Sequence, residues 1–331
     1  MRPKLLAETI LSFFNLKEAI YIKGPPGIGK TEIPRQVAEA NNIGFMHIHC
    51  PMKQPEDMGF PVVSADKSSV TFVIPSEMPV VGNTSLPDTG ILLLDELGQA
   101  DNSMQKVYGN IIQARELHGY KLKPGWSIVA TGNRSQDRAG ANRILSHLND
   151  RMVQFELEPS LDDTTNYMMA SGVDPIVIAY LRFQPDALHD FDPNRDTNAT
   201  PRGWSKVARI LGNVSDAILF ESIAGTVGEG RAATFKSFYD MYLKLPVPEM
   251  VIMQADTYPV PVEPSIKYAL CGALAHRATQ ANFDQIITFA KRMPAEFQTM
   301  LVIDSVKRCP AVQQTKGFLN WAANEGAKVI L

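Results

Sequence analysis

Gly24-Pro25-Pro26-Gly27-Ile28-Gly29-Lys30-Thr31 follows the short β-prone run Ala19 to Lys23 and opens a helical pattern from Lys30 to Asn41. Every fixed position of G-x-x-x-x-G-K-[ST] is filled, and the stretch sits between a strand and a helix, as a phosphate-binding loop requires. Its glycines let the backbone fold into a nest of inward N–H groups, to which the following helix adds its positive end. A chance match is expected in only about 1% of chains of this size, so an incidental glycine turn is set aside. The chemistry expected is nucleoside triphosphate binding: residues 24 to 31 form the cradle, Lys30 bridges the β- and γ-phosphates, and the Thr31 hydroxyl ligates Mg²⁺.

Working outward, a helical pattern at Leu5 to Leu16 precedes the first strand, and apolar runs at Gly44 to His49, Ile91 to Leu94, Ser127 to Thr131 and Met152 to Leu157 read as further strands. Helical stretches at Ser103 to Leu117 and Ala141 to Leu148 separate them, so residues 1–158 alternate as an α/β, doubly wound parallel sheet does. Phe60 to Pro75 holds two β-prone runs around a polar turn, a hairpin inserted into that core. Leu117 to Trp126 is a second turn signal, either another hairpin or a tight loop. Beyond Glu158-Pro159 helical patterns take over, at Ser160 to Ala170, Ile176 to Phe183, Gly203 to Leu211 and Phe235 to Leu245. Five prolines between Pro246 and Pro264 predict an extended connector, followed by helices at Ser265 to Arg277, Phe283 to Arg292 and Ala311 to Ala323. The expected division is an α/β core over 1–158, a helical domain over 159–245 and a helical extension over 246–331.

Ile91-Leu92-Leu93-Leu94-Asp95-Glu96 is a buried strand ending in two acids, at the sheet end where doubly wound folds place their ligands. Asp95 suits the magnesium shell. Glu96 suits orientation and deprotonation of an attacking water, the extra carboxylate that a hydrolase needs over a simple binder.

The phosphate loop, the Asp95-Glu96 pair and Ala130-Thr131-Gly132-Asn133 resemble the Walker A, Walker B and sensor 1 elements of AAA+ ATPases. The MoxR group of the helix-2-insert class is most similar. Pro51 to Gly59 with the following hairpin resembles that class's insertion, and Asp95 to Gln105 resembles its Walker B and the helix after it. Asn149-Asp150-Arg151-Met152 is similar to the family's Asp-Arg-Phe segment, and Thr200-Pro201-Arg202 to its sensor 2 signature. The resemblance covers about residues 15 to 225 and implies an AAA+ core followed by an all-helical lid.

It also implies roles. Asn133 would position the lytic water. Arg151 would be the arginine finger reaching a neighbouring subunit's γ-phosphate, an effect worth about 10³ to 10⁵ in rate, with Arg143 the second choice. Arg202 would act in cis from the lid. A finger acting in trans needs a site completed by the next protomer, and the family implies a homohexameric ring.

Composition bounds the partners. Thirty-two basic against 35 acidic residues give a net charge of −3, with 45% hydrophobic and 20% charged residues, an ordinary globular balance. No basic cluster marks a nucleic-acid binder. Three distant cysteines, Cys50, Cys271 and Cys309, make neither a disulfide scaffold nor a zinc module. No signal peptide or membrane-length apolar run is read, so a cytoplasmic protein is expected.

Three signals are not promoted. His47-Ile48-His49-Cys50 puts the histidines on one strand face and the thiol on the other, so three metal ligands do not converge. Asp190 to Asp196 alternates oxygens as a calcium loop does, yet carries Arg195 and Pro201 where glycine and glutamate belong. The stretch Gln184 to Thr200 reads instead as a mobile loop before Arg202. Fourteen methionines read as core filler.

The function expected is Mg²⁺-dependent ATP hydrolysis by an oligomer that remodels or activates a protein client, with a von Willebrand factor A domain protein the partner implied by the MoxR resemblance. A nucleic-acid motor or helicase loader on the same core is the alternative. It needs basic residues on the hairpin, where only Lys67 stands, beside Asp66. A slow nucleotide switch could dispense with Glu96 or Asn133.

Overall fold

A computed structural model describes residues 1–134, 137, 144–245 and 247–324. These form two compact units, one of Met1–Ser160 with Asp192–Asn194, the other of Leu161–Phe191 with Arg195–Leu331.

The first unit is built on a five-stranded parallel sheet. Its strands in chain order are β1 (Ile20–Lys23), β2 (Gly44–His49), β5 (Thr89–Asp95), β8 (Gly125–Gly132) and β9 (Val153–Glu156), arranged β2-β5-β8-β1-β9. Two antiparallel hairpins complete the strand set: β3 (Phe60–Val63) with β4 (Val70–Val73), and β6 (Glu116–Leu117) with β7 (Tyr120–Lys121). The interior strand β5 is almost entirely apolar because both its faces are covered. Alternation sorts its side chains. Ile91 and Leu93 join Ile20, Ile22 and Val129 against the helices Pro3–Leu16 and Glu32–Ala40, through Leu6, Ile10, Ile33 and Val37. Leu92 and Leu94 face the other way with Tyr21, Ile128 and Ala130, against Met104, Tyr108 and Ile111 of the helix Asn102–Ala114. The result is a three-layer α/β sandwich in which the loops at the strands' carboxyl ends share one edge.

The second turn signal is a hairpin. His118 and Gly119 take φ of 48° and 88°, the left-handed pair that a two-residue turn between right-twisted strands needs. Tyr120 Oη donates to Phe72 O at 2.8 Å and the Phe72 and His118 rings stack at 4.2 Å, so the two hairpins lean on each other. Of the helix expected at Ala141 to Leu148, the described part is Ser146–Asn149, the rest lying largely outside the described residues.

The second unit is helical and holds two hydrophobic clusters. Trp204, Tyr180 and Phe235 centre the one made by Leu161–Ala170, Pro175–Phe183, Pro201–Ile210, Asp216–Val227 and Glu229–Leu243. Phe283, Phe289, Leu301 and Trp321 centre the other, from Pro248–Met253, Pro264–Arg277, Phe283–Ala290, Ala295–Arg308 and Lys316–Asn324. The proline-rich connector is thus not extended throughout. Pro248 occupies the first helical position, where its missing N–H costs nothing, and a short helix follows. The Asp-rich stretch before Arg202 is fastened at Asp190, which accepts from Arg231 Nε at 2.8 Å and Arg195 Nη1 at 3.1 Å.

Candidate functional site

The loop after β1 owes its path to Gly27 and Gly29, whose φ of 74° and 99° lie where a side chain would be strained. Lys30, only 8% exposed, folds back over it. Its Nζ donates to Gly24 O and Pro25 O, each at 2.8 Å, and to Asn133 Oδ1 at 2.9 Å. A buried ammonium is costly unless its donors are used, and here the loop's own carbonyls and the residue after β8 use them.

Asp95 ends β5, across β8 from β1. Thr31 Oγ1 lies 3.0 and 3.1 Å from its two oxygens, Thr131 Oγ1 donates to Oδ1, and His47 Nε2 lies 3.0 Å from Oδ2. A carboxylate only accepts, so the proton of that last bond is on His47 Nε2. The Thr131 hydroxyl also accepts the Glu96 N–H at 3.1 Å. Glu96 itself sits at φ 57°, ψ 39°, a left-handed conformation that a side chain adopts at a cost. It turns the carboxylate out of the strand line to the open side, where His49 Nε2 is 3.9 Å away.

Arg134, next to Asn133, is clamped by Asp137 at 2.9 Å and Glu156 at 3.2 Å. Hydrogen bonding to Asp137 holds its guanidinium above the ordinary value against the loss from burial, with Glu156 adding to it. On β1, burial pushes the Tyr21 hydroxyl up to about 12, so it stays a neutral phenol.

The residues fit Mg²⁺. The Thr31 hydroxyl and Asp95 carboxylate are hard oxygen ligands side by side. Mg²⁺ takes few protein oxygens of this kind and keeps water and substrate phosphates for the rest of its shell.

The sequence-named residues Gly24 to Thr31, Asp95, Glu96 and Asn133 therefore lie together at the carboxyl ends of β1, β5 and β8. Arg151 stands apart, in the turn between Ser146–Asn149 and β9, half-buried and without an ion pair among the described residues. Arg143 lies outside the described residues. Arg202 is in the second unit, second in the helix Pro201–Ile210, whose first turn Thr200 caps by accepting Gly203 N–H at 3.1 Å. Two contributors were not given these parts by the sequence. Thr131 stood within a quoted motif without a task, and His47 was weighed only as a metal ligand. The available signal was the parallel pairing of β2 with β5, which sets His49 opposite Asp95 and His47 on the same face two residues behind.

Residues 19–152 match the family model of the AAA domain, dynein-related subfamily. The five-stranded parallel sheet and the phosphate loop are consistent with that match. Among curated proteins, an uncharacterized protein of Staphylococcus haemolyticus is 21% identical over 188 residues, 53% of this chain and 70% of that one. A second, from Staphylococcus epidermidis, is 21% identical over 160 residues, 46% of this chain and 59% of its own length. Among solved structures, the RuvB Holliday junction branch migration motor of Thermotoga maritima is 15% identical, covering 82% of this chain and 80% of that one, with a TM-score of 0.41. At that score the likeness carries no argument.

Proposed function

We propose that the protein is a Mg²⁺-dependent ATPase of the MoxR type that works as a cytoplasmic ring-shaped homo-oligomer and remodels or activates a protein client. The observation that carries this reading is the convergence of Lys30, Thr31, Asp95, Glu96 and Asn133 on one sheet edge, with Lys30 bonded directly to Asn133.

In this reading the N–H groups of residues 24–31 and the Lys30 ammonium bind the ATP phosphates. Thr31 Oγ1 and Asp95 would hold magnesium, which would supply charge neutralisation for the phosphates. Glu96 takes the proton of the attacking water, and the Asn133 amide orients that water or the γ-phosphate. Arg151, without an ion pair among the described residues, completes the neighbouring subunit's site, while Arg202 senses the nucleotide from a helical lid spanning 159–245. Residues 246–331 are a helical extension of it.

The hairpin favours a protein client over a nucleic acid. Phe60, Val62, Val63, Val70 and Val73 are all exposed there, around Lys67 as the lone cation. Such a surface suits an apolar partner better than a phosphate backbone. A client carrying a von Willebrand factor A domain is the partner that the MoxR resemblance suggests.

The test is steady-state hydrolysis across protein concentration, alone and with single- or double-stranded DNA, with assembly followed by light scattering. Turnover per subunit that rises with assembly and ignores DNA supports the remodeller. Strong stimulation by DNA moves the nucleic-acid motor to first place, and no hydrolysis under any condition overturns both.

A further inference from the structure

We propose that His47 is a positioning residue for the divalent cation: its imidazole holds the outer oxygen of Asp95, and so sets how tightly the Thr31 and Asp95 pair takes Mg²⁺. This rests on the nucleotide-site reading above and deepens it.

The argument begins with the donors around Asp95. Thr131 serves Oδ1 alone, and the single Thr31 hydroxyl proton is shared between Oδ1 and Oδ2 at nearly equal distances. His47 Nε2 is therefore the one donor dedicated to Oδ2 among the described residues, at 3.0 Å. The terminal torsion of an aspartate is broad and soft. With both oxygens held, the carboxylate plane is fixed before a cation arrives. With Oδ2 released, that plane must be ordered as the cation binds, and the ordering is charged against affinity.

Sheet geometry makes the contact specific. β2 runs parallel to β5 with His47 opposite Leu93 and His49 opposite Asp95. His47 thus leans along the strand towards Asp95 on the face that carries the phosphate loop. Its neighbours Met46 and Ile48 pack into the opposite layer, so the core does not use the imidazole as filler. β2 is also an edge strand and the His47 side chain is 40% exposed. At an exposed edge position packing makes little demand on the imidazole, so its truncation is expected to leave the fold intact.

Glutamine reaches about as far as histidine and ends in an N–H donor, whereas leucine keeps the bulk and loses the donor. This pair separates positioning from packing. The experiment titrates Mg²⁺ into the full chain with a ribose-labelled fluorescent ADP, reading the Mg²⁺ concentration at half-maximal enhancement of binding, and repeats the ADP titration in EDTA. Outer-sphere partners of metal ligands are worth about 10- to 100-fold in metal affinity. His47→Leu should therefore raise the Mg²⁺ requirement about tenfold or more while ADP affinity in EDTA stays unchanged, and His47→Gln should restore most of the loss. Mn²⁺ bound to the ADP complex, counted by electron paramagnetic resonance, should weaken in parallel. An unchanged Mg²⁺ requirement in His47→Leu, equal impairment in both variants, or a matching loss in EDTA would each overturn the proposal. Wild-type protein whose ADP binding ignores Mg²⁺ would instead sink the magnesium reading itself, and the role of His47 with it.

Discussion

Lys30 Nζ donates to Asn133 Oδ1 at 2.9 Å, joining the phosphate loop to the end of β8 through the groups that would meet the γ-phosphate. The bond turns the Asn133 carbonyl towards the lysine and leaves its amide N–H groups for another acceptor. Two residues separated by more than a hundred positions in the chain are in this way set to respond to the same ligand.

Lys30→Ala should lose nucleotide. Two charge-assisted bonds to phosphate at roughly 1.5–3 kcal/mol each correspond to about 10² to 10⁴ in affinity. Isothermal titration with ADP and with a non-hydrolysable ATP analogue measures it, and affinity near wild type would remove the loop from the site.

Glu96 should separate turnover from stability. Glu96→Gln keeps ATP binding and lowers turnover about 10²- to 10⁴-fold, the usual contribution of a general base. Glu96→Gly also removes the base, yet it relieves the backbone at φ 57°. The relief is about 1–2 kcal/mol, partly offset by the entropy that glycine gains in the unfolded chain. Urea unfolding should show Glu96→Gly equal to or more stable than Glu96→Gln; a clear loss of stability would show that the left-handed turn is not strained.

Thr131→Val should damage both acids at once. It leaves the Glu96 N–H without its 3.1 Å acceptor and takes one donor from Asp95. An unsatisfied buried group costs about 1–3 kcal/mol. Thr131→Ser should recover stability and turnover, and valine matching serine in both would refute the bridging role.

Gly132 is set by the tyrosine beside it. A Cβ placed there overlaps the Tyr21 hydroxyl, which is buried and has little room to retreat. Overpacking of this kind costs about 1–3 kcal/mol. Gly132→Ala should be destabilised, and Tyr21→Phe in the same chain should return part of the loss. A double-mutant cycle with no coupling would contradict the contact.

Arg151→Ala protein mixed with Glu96→Gln protein should regain hydrolysis if sites are shared between subunits, each variant supplying what the other lacks. Subunit exchange is checked first by labelled mixing. Exchange without recovery would place the arginine's effect within its own subunit.

Much of the α/β unit was legible because its signals are local. Gly44 to His49 reads as a strand and is one, and the phosphate loop declares both its flanking elements. The helix Asp216–Val227 gave no clean period because apolar residues lie on several sides of it, Ile218 being 52% exposed while Leu219 and Ile223 are buried. Ala295–Arg308 was masked differently: its buried face includes Gln298, Asp304 and Ser305. Asp304 can be there because Arg182 donates to both its oxygens from another helix, a pairing that no spacing along the chain reveals. The candidate site divides in the same manner. Gly24 to Thr31 and Asp95-Glu96 are motifs, whereas the use of His47 and Thr131 depends on which strands are neighbours.

The tip of the inserted hairpin closes on itself, with Ser64 and Ser68 hydroxyls both donating to Asp66. Ala65 in that turn is exposed and bonded to nothing through its side chain. Cys50 and Cys271 are buried and burial pushes both thiols up, which makes them slow nucleophiles at neutral pH. With the half-buried Cys309 changed to serine, Ala65→Cys would become the one fast-reacting thiol. A fluorophore there would turn the hairpin into an optical antenna, reporting any molecule that settles on its apolar strands from a position outside the phosphate loop.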